Sequence, residues 1–91
     1  MSLYTKAGRP LQVVGDAVFT APGKYVGQRV ETKVFGPNGR YVGTVVGNRL
    51  VFRLIESAHI GPSSSVEPIP AQTIPDVTAA IMWGDEPSLP D

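Results

Sequence analysis

Few residues in this 91-residue chain have the types and spacing for chemistry. Glu56 precedes Ser57-Ala58-His59-Ile60, and a histidine beside a carboxylate can act as a general base. A Ser-His-carboxylate relay is defined by geometry, not by adjacency in sequence, so His59 reads as a polar residue at the edge of the fold. One histidine and no cysteine offer no ligand set for a metal, and no disulfide framework is possible. Asp85 and Glu86 are paired carboxylates in sequence. Neighbours on an extended chain point to opposite faces, so those two do not share an acid-base site. Gly36-Pro37-Asn38-Gly39-Arg40 has the glycines of a phosphate-cradling loop. It lacks the following Lys-Ser/Thr and the helix, and a hairpin turn accounts for it better. No catalytic residue, cofactor or metal ligand is expected, and the chain reads as a non-enzyme.

Charge is more informative. The formal net charge is zero, yet all eight basic residues lie within 1–53, opposed there only by Asp16 and Glu31, which makes +6. Residues 54–91 hold six acidic residues and no basic one, which makes −6. Segments so charged attract each other. Arg9, Lys24 and Arg40 each follow a glycine. On units that share an axis they form a ring on one face. Such a ring is either a set of solvated turn charges or an anion-binding face for phosphate, nucleic acid or an acidic peptide. Tyr25 and Tyr41 lie near it, but no stacking platform for nucleic acid is marked. The acidic tail is itself an acidic peptide.

The elements that would position these residues repeat. Tyr4-Thr5-Lys6-Ala7-Gly8-Arg9, Phe19-Thr20-Ala21-Pro22-Gly23-Lys24 and Phe35-Gly36-Pro37-Asn38-Gly39-Arg40 share aromatic, three residues, glycine, basic. The aromatics fall at 4, 19, 35 and 52. Internal repetition outranks local propensity. Each unit reads as a β-hairpin: a short strand, a four-residue link closing on glycine, and a second strand such as Tyr41-Val42-Gly43-Thr44-Val45. Polar pairs, Gly15-Asp16 and Gly47-Asn48, lead to the next unit. Gly27 and Gly43 mark either close approach of backbones or a bulge. Hairpins are marginal alone and cover one another around an axis, where closure removes exposed edges. The expected fold is all-β, a small pseudo-four-fold, flower- or barrel-like arrangement of short hairpins. The fourth unit has Glu56 where glycine is expected, so it is incomplete or finished by another segment.

The repeat over residues 3 to about 60, with the ending Trp83-Gly84-Asp85-Glu86-Pro87, resembles the bacterial four-fold β-flower proteins. That resemblance implies a small pseudo-four-fold β fold without an established activity. A short barrel of the PRC type is the nearest competitor.

Three segments follow: a hairpin-repeat domain over 1–60, a Pro/Ser-rich linker over 61–75, and an apolar-acidic docking tail over 76–91. Four prolines exclude helix or central strand from 61–75. In 76–83, Asp76 can cap two helical turns ending at Gly84, or Val77, Ala79, Ile81 and Trp83 can alternate as a strand. An extended segment docked on the incomplete unit is favoured. The expected anchors are Ile81, Trp83, Asp85 and Glu86. Burial of Ile81 and Trp83 would supply most of the docking energy, at about 1.5–3 kcal/mol per side chain. Trp83 packs on its own chain or anchors another one. The function expected is a non-enzymatic binding or assembly module whose tail docks on the basic β domain. The alternative is an anion or nucleic-acid binding module gated by that tail. A homo-oligomer through the tail or another protein partner fits; nucleic acid fits less well. No apolar run reaches the ~20 residues of a membrane span, no signal peptide is evident, and a cytoplasmic location is expected.

Overall fold

The computed structural model describes residues 3–90. Seven short strands form a closed barrel: β1 Leu3–Thr5, β2 Pro10–Val14, β3 Ala17–Thr20, β4 Tyr25–Val30, β5 Lys33–Phe35, β6 Tyr41–Val46 and β7 Arg49–Val51. Consecutive strands pair antiparallel. An odd number of alternating strands leaves the first and last running the same way. The barrel therefore closes on a parallel seam, with Tyr4 opposite Arg49 and Thr5 opposite Leu50. Closure leaves no unpaired edge. One 3₁₀ turn, Leu54–Glu56, is the only helical element among the described residues. The all-β, barrel-like fold expected from the hairpin pattern is the fold observed.

Strand alternation sends Leu3, Leu11, Val18, Val26, Val34 and Leu50 into one buried cluster, with Val13, Val42 and Val45 packed against it. Gly27 and Gly43 serve both roles expected of them. The pairing of Val18 with Gly27 and of Phe19 with Tyr25 leaves Val26 as an extra residue. Val34 with Gly43 and Phe35 with Tyr41 does the same to Val42. These are bulges. A Cβ at Gly27 would also overlap the Phe35 carbonyl. Strand β2 pairs with β1 without a shift, which accounts for the spacing of 15 residues between Gly8 and Gly23 against 16 between Gly23 and Gly39.

The barrel has two distinct ends. At the open end, two-residue turns at Gly15-Asp16, Glu31-Thr32 and Gly47-Asn48 join the hairpins. The first central residue has φ of 60°, 58° and 62° in the three turns, and the second has no positive φ in any of them. At the other end, three turns repeat the same hydrogen bonds. The amides of Thr5, Thr20 and Gly36 donate to the carbonyls of Arg9, Lys24 and Arg40. The amides of Gly8, Gly23 and Gly39 donate back to the carbonyls of Thr5, Thr20 and Gly36.

Candidate functional site

The tail is built onto the second end. Beyond the 3₁₀ turn the chain reverses course and runs a lap around the barrel. The amides of Gly61, Ile69 and Val77 donate to the carbonyls of Gly39, Gly23 and Gly8, at 2.8, 3.0 and 3.0 Å. Three residues after each, Ser64, Gln72 and Ala80 donate to Pro37, Ala21 and Lys6. Asp85 then exchanges both backbone bonds with Phe52, at 2.7 and 2.8 Å. The contact residues 61, 69, 77 and 85 recur every eight residues.

The period follows from length. The Cα envelope measures 32 × 32 × 21 Å, so its circumference is about 100 Å, and eight residues at the ~3.1 Å rise of extended Pro-rich chain span about one quarter of it. Pro62, Pro68, Pro70 and Pro75 hold that rise. They also fall at positions whose N–H the belt does not use, since the donors are 61, 64, 69, 72, 77, 80 and 85. Residues 61–75 are therefore part of the belt rather than a free spacer. Residues 76–83 adopt neither of the regular elements considered for them; the amides of Val77 and Ala80 pair with turn carbonyls at Gly8 and Lys6 instead.

The glycine absent from the fourth unit is supplied by the belt. In the first three turns a left-handed glycine precedes Arg9, Lys24 or Arg40, with φ of 95°, 99° and 80°. In the fourth, Phe52 donates to the carbonyl of Asp85, and the residue before it is Gly84 at φ 119°. Phe52 thus occupies the place of Thr5, Thr20 and Gly36, and Val51, not Phe52, is the counterpart of the three aromatics. Past this point Pro87 is buried and Leu89 packs against the barrel core.

Side chains fasten the belt at particular points. Glu86 seats its carboxylate on the first turn, accepting from Thr5 Oγ1 at 2.7 Å and from the Ala7 amide at 2.8 Å. Lys6 Nζ donates to the Gly84 carbonyl. The buried Gln12 spends its amide on the carbonyls of Thr20, Ala21 and Pro70. Tyr25 and Ser64 hydroxyls lie 2.6 Å apart. Gly61 rests on the Phe35 ring, where a Cβ would overlap it.

Of the expected anchors, Asp85 engages through its backbone and Glu86 through its carboxylate. Ile81 and Trp83 do not bury. Ile81 is fully exposed and Trp83 is 64 % exposed. The expectation that their burial supplies the docking energy is corrected: the fixed contacts are made by amides, and residues 81 and 83 are exposed while Met82 and Gly84 between and after them are half-buried. One face of the indole is covered by Arg53, whose Cζ lies 4.5 Å from the ring centroid, a cation–π geometry. The Phe52–Asp85 bridge lies next to this Arg53–Trp83 contact. Leu54 (73 % exposed) and Ile55 (76 %), in the 3₁₀ turn that follows Arg53, are exposed as Ile81 and Trp83 are.

Arg9, Lys24 and Arg40 occupy equivalent places at the belted end, all exposed. One acidic residue of the belt lies near this set: Arg9 and Asp76 line the same pocket, together with Thr20, Ile74 and Leu89. His59 is exposed, and its Nδ1 hydrogen-bonds the Glu56 carbonyl at 2.9 Å. Ser57 Oγ donates to the Leu54 carbonyl at 2.7 Å. The Glu56 carboxylate accepts from Thr44 Oγ1, which also bonds Tyr41. Each of the three is committed to a separate local contact, and no nucleophile–base pair is assembled. No cluster of three metal-ligating side chains occurs among the described residues, nor does any helix long and apolar enough to cross a membrane.

Sequence reasoning missed two features, the belt register and the exposure of Leu54, Ile55, Ile81 and Trp83. Residues 57–64, 65–72, 73–80 and 81–88 form four octads, but their contact positions hold Gly61, Ile69, Val77 and Asp85. A period carried by amides leaves no residue-type signature. The available signal was proline placement. Comparison with family models, curated proteins and solved structures finds no match to this chain.

Proposed function

We propose that this chain is a non-enzymatic binding or assembly module, in which the apolar-acidic tail docks on the basic barrel and displays a protein-docking surface at the seam. The observation that carries this reading is the exposure of Ile81 and Trp83 on a belt whose backbone is fixed turn by turn, with Leu54 and Ile55 exposed in the 3₁₀ turn before it. Large apolar side chains left in water at a fixed site mark an interaction surface, and Trp beside Arg is the composition of binding hot spots. The reading agrees with a flower-like family of hairpin units, the fourth being completed by the chain's own end. A photo-crosslinking residue placed at Ile55 should give a defined product in cells, and the same residue at Asn48 on the open end should give none. Equal labelling at both sites would remove the seam as the docking surface.

A second reading, an anion-binding module gated by the tail, draws on one contact. The Glu86 carboxylate occupies an anion seat on Thr5 Oγ1 and the Ala7 amide. Glu86→Ala should then create salt-sensitive binding to heparin or DNA that the parent chain lacks; unchanged retention argues against gating.

A further inference from the structure

A groove lies on the outer face of the first hairpin. Leu3 and Leu11 belong to the core cluster, so alternation turns Tyr4, Gln12 and Val14 outward. Gln72 and Ile74 of the belt line the same space, whose volume is about 280 Å³. We infer that this groove binds a small neutral molecule carrying a carboxamide group, with Gln12 as the acceptor for its N–H. The groove shares no residue with Leu54, Ile55, Ile81 or Trp83.

Gln12 is 8 % exposed. Its Nε2 donates toward three carbonyls, those of Thr20, Ala21 and Pro70, at 3.2, 3.1 and 3.2 Å. Three acceptors around one nitrogen fix which way round the amide lies. The other end, Oε1, has no hydrogen bond among the described residues. Yet it is not sealed in. Among the described residues, Arg53 Nε is the one buried side-chain nitrogen or oxygen with neither a partner nor access to solvent. Gln12 Oε1 therefore opens on free space, and the space that Gln12 borders is this groove. An acceptor held fixed in a cavity wall, its own donor spent elsewhere, selects a ligand that donates.

The rest of the lining narrows the class. No described residue that lines the groove is charged, so an ion would enter without a counter-charge. Arg49 is nearby, but its guanidinium stands over the Tyr4 ring at 5.9 Å and bonds the Thr5 carbonyl. Gln72 spends its backbone amide on Ala21, and its side chain offers a donor for a ligand carbonyl. Tyr4, Val14 and Ile74 supply apolar surface. An N–H and a C=O on a small apolar body describe a carboxamide. Pockets for drug-sized ligands start at about 300 Å³, so the groove suits a single ring with one such group, and weak, millimolar affinity is expected.

Benzamide is the probe, titrated into the full chain and followed by amide and methyl NMR. Gln12→Leu would also release the turn and belt carbonyls, so the hydrogen bond is removed from the ligand instead. Acetophenone keeps the shape and carbonyl of benzamide with a methyl in place of the nitrogen, and benzoate replaces the amide by a charge. Saturable shifts are expected with benzamide at the Gln12 side-chain amide, Val14 and Ile74. Acetophenone should bind at least about tenfold more weakly, because a site that offers a hydrogen bond rejects an analogue that cannot make it. Benzoate should not bind. Gln72→Ala should weaken benzamide by about threefold or more. Val14 is 59 % exposed, and Val14→Trp, at a strand position that accepts an aromatic, should fill the groove and abolish the shifts with the Gln12 bonds intact. Absence of saturable shifts up to the solubility of benzamide overturns the assignment. So do equal affinities for benzamide and acetophenone, since Gln12 Oε1 would then take no part. Binding that survives Val14→Trp overturns it as well, since the ligand would then sit elsewhere.

Discussion

At the open end of the barrel, Gly15 and Gly47 turn the chain at φ of 60° and 62°, and nothing lies within 4 Å of where a Cβ would stand. At the belted end, Gly8, Gly23 and Gly39 also turn it at positive φ, but the added Cβ would overlap the carbonyl oxygens of Val77, Ile69 and Gly61. The same residue type thus answers two different demands. At one end glycine relieves a local dihedral. At the other it makes room for another part of the chain to approach the turn and take its carbonyl. The open end is a set of independent hairpins; the belted end is one device, in which four turns share a single ligand, the tail.

The contrast is broken most severely by removing the belt. Truncation after residue 60 deletes the seven amide donors 61, 64, 69, 72, 77, 80 and 85, worth about 0.5–1.5 kcal/mol each, together with Leu89 and Pro87. The sum is about 7 kcal/mol, comparable with the whole stability of a small domain. Loss of a cooperative thermal transition in circular dichroism is expected. A truncated chain melting cooperatively within a few degrees of the parent would show the belt to be ornamental.

The two ends separate next under one substitution. Gly23→Ala meets both the left-handed dihedral, at about 1–2 kcal/mol, and the displaced bonds from Ile69 and Gln72 to the second turn; about 3 kcal/mol is expected in total. Gly47→Ala meets the dihedral alone, about 1 kcal/mol. Midpoints from urea unfolding should differ accordingly, and equal losses would refute the distinction between the ends.

How far the sequence discloses this can be judged from those residues. Gly8, Gly23 and Gly39 announce themselves, since an aromatic-to-glycine spacing of four with a basic follower is a local pattern. Gly15-Asp16 and Gly47-Asn48 do so as turn pairs. The seven-strand closure does not, because a parallel seam between β1 and β7 depends on where the fourth hairpin fails, a property of the whole chain. Glu56 marks the fourth turn as lacking its glycine, yet the glycine that serves there, Gly84, lies 28 residues further on. Local pattern reading has no reach over that distance. Trp83 was legible as important by type, and its exposure was not, since the side of the belt it faces is set by amides at Val77 and Ala80.

A smaller effect sharpens the comparison on the acidic side. Glu86→Ala removes two hydrogen bonds to the first turn, from a residue that is itself exposed, and should cost about 1 kcal/mol. Asp16→Ala, in an exposed turn at the open end, should stay within about 0.5 kcal/mol of the parent. Glu86→Gln, which keeps an acceptor for the Ala7 amide, should recover part of the loss. A Glu86→Ala variant as stable as Asp16→Ala would mean that the carboxylate adds nothing to the belt.

The smallest predicted change has the opposite sign and isolates the open end by itself. Glu31 occupies the first central position of its turn at φ 58°, where the other two turns have glycine. A side chain there costs about 1–2 kcal/mol of backbone strain, and glycine would remove it. Against this stands the extra freedom glycine gives the unfolded chain, about 0.5–1 kcal/mol. The difference favours Glu31→Gly by about 0.5 kcal/mol, a rise in melting temperature of about 2–4 °C for a domain of this size. No belt residue takes part in that turn, so the gain should persist unchanged in a Glu86→Ala background, as expected for sites with no shared partner. A gain that depended on Glu86 would show that strain at one end of the barrel is felt at the other, and the two ends would then have to be treated as one.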